Sequence, residues 1–252
     1  YVLGDSLFLN SVQHYFDQWS YAHPYFDDMR QSFMRGSGNT DLNWFFDQWL
    51  ETTKTIDYKI KRVKEEKDDG WYTITFKRKE EMQMPIEFQV TDRNGATHDY
   101  LIPNTWFEKD FDGMILDRWY GWGENIQPEY EAKIYIPAGI KDVQIDPSGR
   151  LADINKLDNS YKFPLEWEFE SQIYGNTNPD KYVARIRPDL WYNSYDGFKF
   201  GIHMNGTYMR YKHKFHFSMW WNSRLAQGGF DEFPEEFQSQ RQLMSFNAWY
   251  ET

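Results

Sequence analysis

The sequence contains no cysteine. That excludes a disulfide framework, a thiolate metal site and a cysteine nucleophile. It has no apolar run long enough for a membrane-spanning helix, and no signal peptide opens it. Basic residues are the minority, 28 Lys and Arg against 39 Asp and Glu, for a net charge of -11. No Lys/Arg cluster offsets that acidity, so nucleic acid is not an expected partner. H-E-x-x-H, a phosphate loop and a G-x-S-x-G elbow are all missing. His213 and His216 fall on opposite faces of a strand, while His14 and His23 have no acidic or histidine partner at ligand spacing. Asp110-Phe111-Asp112-Gly113 is acidic but lacks the ligand spacing of a calcium loop. No catalytic or metal-ligating residue is assigned, and no cofactor is expected in this chain.

What is abundant is aromatic side chains, 20% of 252 residues. That share argues for β-structure or broad binding surfaces rather than disorder. The length suits one large or two ordinary domains. Both ends of the sequence read as ordered protein, and the expectation is a piece of a longer polypeptide.

The chain begins helically. Phe8, Val12, Tyr15, Phe16 and Trp19 form one stripe behind Asp5, a plausible N-cap. His23-Pro24 interrupts it. A second helix follows, with Phe26, Met29 and Phe33 inward and Gly36 as its stop. A third spans Asp41–Leu50, capped by Thr40 or Asp41, with Leu42, Phe45, Phe46, Trp49 and Leu50 on one face. Trp44 lies opposite, among Asp47, Gln48 and Glu51, which implies a helix covered on two sides. Three such helices are marginal alone and are expected to lean on a neighbour.

From Tyr58 the period becomes two. Tyr72, Ile74 and Phe76 follow an Asp69-Gly70 turn, and Ile86, Phe88 and Val90 precede an Asn94-Gly95 hairpin signal and then His98, Tyr100 and Ile102. Short strands between turn signals predict an antiparallel sandwich. Residues 106–125 form a long aromatic loop. Its Trp106, Trp119, Tyr120 and Trp122, together with Trp44, are the candidate interaction surface for a glycan or peptide. The alternative is a loop pinned down by its own aromatics. In residues 161–252, Leu165, Trp167 and Phe169 alternate with glutamates, and Phe198, Phe200, Ile202 and Met204 alternate likewise. Aromatics crowd the strand ends. The pattern fits the first strands of an outer-membrane barrel and fits a soluble meander equally well. Phe230–Phe237 reads as an acidic exposed loop.

Certain spaced residues carry a family resemblance. They are Gly4-Asp5-x-x-Phe8, Tyr15-Phe16, His23-Pro24, Phe26-x-x-Met29-Arg30-x-x-Phe33, Gly38 and Leu42-x-Trp44-Phe45-Phe46-x-x-Trp49-Leu50. Further on come Met84-Pro85-Ile86, Ile136-Pro137 and Val143-x-Ile145-Asp146-Pro147-x-Gly149-x-Leu151-x-Asp153. Together they resemble the aminopeptidase N family of zinc metallopeptidases (gluzincin type), in the portion after the catalytic zinc motif. The resemblance implies an α+β, multidomain fold. Residues 1–55 would be the helical end of a thermolysin-like catalytic domain, 56–160 a bracing antiparallel β-sandwich, and 161–252 a further antiparallel β region. It implies zinc, a peptide substrate and the catalytic residues only in the full-length parent, whose upstream catalytic domain would be this chain's partner. The location expected is a bacterial periplasm or outer envelope, with membrane contact through 161–252.

Overall fold

The computed structural model describes residues 1–122, 125–171, 178–228 and 242–252. The chain is α+β, with a short helical segment followed by mostly antiparallel β regions. It divides into two compact units, Tyr1–Phe163 and Pro164–Thr252.

Unit 1 opens with α1 (Gly4–Trp19), α2 (Phe26–Gly36) and α3 (Asn43–Leu50). Asp5 lies inside α1 rather than capping it and pairs with Arg150 at 2.6 Å. The N-cap of α3 is Leu42, with no side-chain cap bond, and Asp41 sits one residue earlier, where its Oδ1 accepts the Asn43 N–H at 3.0 Å. Gly36 ends α2 as expected and is also where the helices touch, since a Cβ there would lie 2.6 Å from Ser11 Cα. The left-handed turn falls on Gly38 (φ 77°) and Asn39 (φ 64°), where Asn39 N–H reaches Met34 O at 2.8 Å. The α1–α2 contact combines buried Ser11 and Ser32 with Phe33, which meets Phe8 and Tyr15 at 6.2 Å each, while Phe8, Val12, Phe16 and Phe26, expected inward, stay exposed.

The sandwich strands are β1 (Tyr58–Glu65), β2 (Trp71–Arg78), β3 (Ile86–Asp92), β4 (Thr97–Ile102), β5 (Met114–Ile115), β6 (Gly121–Trp122), β7 (Asn125–Ile126), β8 (Glu129–Tyr135) and β9 (Ile140–Ile145). One sheet runs β1-β2-β8 and the facing sheet β5-β4-β3-β9, with β6 and β7 as a small ribbon. Both expected hairpins form, and Gly70 (φ 81°) and Gly95 (φ 90°) occupy the positions that need positive φ. Alternation sends Ile74 and Phe76 from one sheet and Ile86, Phe88 and Val90 from the other into one core. Phe76 and Phe88 meet across it at 4.7 Å.

Unit 2 is one sheet of β10 (Leu165–Phe169), β11 (Tyr182–Asn193), β12 (Gly197–Tyr208), β13 (Lys212–Asn222) and β14 (Met244–Glu251), in that order. All pairs are antiparallel except β10 with β11. Residues paired across strands share a face. The row Phe169–Ile186–Met204–Phe217–Ala248 is apolar, and so is Leu190–Phe200–Trp221–Met244. Between them Pro188–Ile202–Met219–Phe246 continues the apolar face, while the alternating rows carry the polar side chains, Arg187–His203–Ser218–Asn247 among them.

Candidate functional site

Two features of unit 1 gather the side chains singled out from the sequence. The first is the seat of α3. Trp44, placed on the wet face by the helical stripe, is buried in the sandwich core. It stacks on Trp106 at 6.3 Å and on Phe107 at 5.6 Å. Gln48, one turn later on the same face, is buried too. Its Nε2 donates to Gln83 O at 3.3 Å, and its Oε1 accepts the Gln83 N–H at 2.8 Å. The opposite side of α3 packs on α2, where Phe46 meets Phe33 edge-on at 6.2 Å and Arg30 bridges Asp47 and Glu51. The helix is thus covered on two sides, with Leu42 and Phe46 buried on one and Trp44 and Gln48 on the other. An 8-residue helix cannot bury a full stripe at a single partner, so the divide between its faces runs through the aromatics.

The second feature is an apolar groove of about 400 Å³, lined by Val2, Phe8, Phe33, Phe45, Trp49 and Leu151, with Arg150 at its rim. The stripe residues Trp49 and Leu50 are each 40% exposed beside it. On α1, Phe8 is 50% and Phe16 67% exposed. Helical apolar surface therefore stays open where the stripe predicted burial.

The aromatic loop divides its rings between core and surface. Trp119 is buried: its Nε1 donates to Gln127 O at 2.9 Å, its ring meets Tyr58 at 5.6 Å, and Arg78 lies 4.7 Å above it. Trp106 and Tyr120 remain half-exposed, but Trp106 already has one face on Trp44. The Trp122 side chain and the acidic segment Phe230–Phe237 lie outside what the structure describes. Of the candidate surface, the structure brings Trp44 and Trp106 together and sets Trp119 inside the core. The loop is pinned by its own aromatics and by Asn104, whose Oδ1 accepts the N–H groups of Trp106 and Phe107.

Burial governs the titrating groups here. The Asp153 carboxyl is pushed up to about 6 by desolvation, against N–H bonds from Tyr58 and Asn155. Tyr58, fully enclosed, is also raised. Among the described residues, no three His, Asp or Glu side chains converge as a metal site.

Cross-strand contacts of unit 2 were invisible in the sequence. His203 Nδ1 lies 2.9 Å from Ser218 Oγ, which in turn lies 3.2 Å from His216 Nε2. Burial, with Arg187 nearby, lowers the His203 pKa. The network borders a cavity of about 380 Å³ on the polar face. Only strand register, unknown beforehand, could have joined residues so far apart in sequence. No protein-family model and no curated protein sequence matches the chain.

Proposed function

We propose that this chain is the non-catalytic rear portion of an aminopeptidase N-like zinc metallopeptidase, bracing the catalytic domain that carries H-E-x-x-H. The observation that carries the reading is the open apolar surface of the helices: Phe8 of α1 and Trp49 of α3 line the groove half-exposed, and Phe16 and Leu50 stand uncovered further along the same helices. Exposed apolar surface of that extent, rimmed by charge, marks a docking face. The ordered resemblance from Gly4 to Asp153 names the occupant: the upstream catalytic domain, with zinc and peptide substrate held there. The Gln48–Gln83 amide pair then ties the docking helices to the sandwich, so the brace acts through β-structure. In this reading the chain contributes no hydrolytic step of its own.

The test has two arms. The chain alone should release no p-nitroaniline from an aminoacyl p-nitroanilide and should hold no stoichiometric zinc; chelator-sensitive turnover refutes the proposal. Mixed with an H-E-x-x-H catalytic domain of the family, it should associate, and Phe16→Asp or Trp49→Asp should weaken that association at least tenfold. Unchanged association refutes the docking face.

A further inference from the structure

In unit 1 the sheets are apolar inside and wet outside, with Ile86, Phe88 and Val90 at 0% exposure. Unit 2 reverses this. Phe200 is 46% and Trp221 54% exposed, whereas Lys199 and His203 are each 8% and Ser218 1%. A sheet whose charged face is the drier one and whose greasy face is the wetter one is stable in water only if something covers the grease.

We infer that the apolar face of β10–β14 contacts the hydrocarbon of a lipid bilayer, as the outer wall of a transmembrane β-barrel. Three observations favour lipid over a protein layer. First, the four cross-strand rows of that face from Trp167–Ala184–Gly206–Phe215–Tyr250 to Leu190–Phe200–Trp221–Met244 carry no charged side chain, and Lys212, opposite Tyr208, stands just beyond them. Second, the size fits. From Tyr182 to Tyr192 the strand spans about 33 Å at roughly 3.3 Å per residue, which a tilt of about 40° reduces to about 25 Å, the height of an outer-membrane apolar band. Third, aromatics mark both margins of that band. Tyr192 packs on Phe198 at 5.1 Å at one margin, and the exposed rings of Trp167 and Tyr250 stand at the other.

The opposite face suits a barrel interior. Its charges are matched within the sheet, with Arg185 to Glu168 at 3.0 Å, Arg187 to Glu170 at 2.9 Å and Trp220 Nε1 to Asp189 at 2.9 Å. Such pairs are satisfied without a partner molecule. No helix among the described residues is long and apolar enough to cross a membrane, a criterion that does not apply to strands. Strands in lipid need every edge paired, and the smallest such barrels have about eight strands. Embedding therefore calls for further strands against β10 and β14, which other copies of this chain, meeting edge to edge, supply in a vesicle.

The chain has no cysteine, so single-cysteine labelling is clean. The whole chain, with a nitroxide at Phe198→Cys, Lys199→Cys, Phe200→Cys, Ile202→Cys or His203→Cys, is refolded into phosphatidylcholine/phosphatidylglycerol vesicles and floated. Accessibility to oxygen and to a nickel chelate is then read by electron paramagnetic resonance. The expected result is co-flotation, with oxygen favoured at 198, 200 and 202 and the preference reversed at 199 and 203. A label at 200 or 202 that is open to the chelate overturns the inference. So does one shielded from both reagents, which would mean a second copy or another protein covers the face, and so does a chain that does not float. Phe200→Lys should lose vesicle binding while Asn205→Lys keeps it; equal binding also overturns the inference.

Discussion

Trp44→Ala separates two ways of reading α3. A helical stripe puts Trp44 outward and Trp49 inward, whereas the structure buries Trp44 at 8% exposure and leaves Trp49 at 40%. A buried tryptophan removes roughly 200 Å² from water, which at about 25 cal/mol per Å² is about 5 kcal/mol. Large-to-small substitutions in closed cores cost about 3–5 kcal/mol. Trp44 Nε1 has no hydrogen-bond partner among the described residues, so deleting it forfeits no polar contact. We therefore expect Trp44→Ala to cost about 4 kcal/mol. Trp49→Ala opens no closed void, because water enters the groove, and should cost about 1–2 kcal/mol. Trp44→Phe should fall between them. Hydrogen exchange at the amides of β2 reads the opening free energy of unit 1 directly, whatever unit 2 does. A Trp49→Ala loss equal to or larger than that of Trp44→Ala would refute the assignment of the buried side.

Other consequences follow from contacts already described. Because Asp153 titrates near 6 in the fold, the native state keeps a proton that the unfolded chain has released. Its contribution is whole below about pH 4 and is lost as pH rises towards about 6, by up to about 3 kcal/mol. Asp153→Asn should flatten the plot of urea midpoint against pH in that window, and parallel curves for variant and parent would contradict the assignment. Gly36→Ala puts a methyl against Ser11 Cα, and the forced separation of α1 from α2 should cost about 1–3 kcal/mol, seen as faster exchange in α1. Asn104→Ala strips acceptors from the Trp106 and Phe107 N–H groups and a donor from Gln83 O, a loss of about 1–3 kcal/mol that limited proteolysis should locate in residues 104–110.

Much of the fold was legible. Period-two stretches around Ile74, Phe88 and Phe200 became strands, and Gly70 and Gly95 turned where turn chemistry required. These signals are local, and nothing further along the chain competes with them. The helices were found, and Leu42, Phe46 and Phe33 face inward as the stripes place them, but what anchors the second buried side of α3 was not. Trp44 and Gln48 look polar-sided beside Asp47 and Glu51, and only the distant Gln83 and Trp106 make that side the anchored one. Gly36 looked like a stop because glycine ends many helices; its close approach to Ser11 is a tertiary fact. Trp119 looked like a platform because a loop tryptophan is usually wet, yet three aromatic or cationic neighbours arrive from other elements. In unit 2 the two periodic faces were plain, but which face is the drier depends on register.

Met82-Gln83-Met84 belongs to no helix or strand. Even so, its peptide groups take bonds from Gln48, Tyr58 and Asn104, and the Met84 N–H ends on Tyr58 Oη at 2.9 Å. An irregular segment so wired cannot serve as a hinge. A push on α3 would reach β1 within a few bond lengths, and the helices and the sandwich would tilt as a single lever.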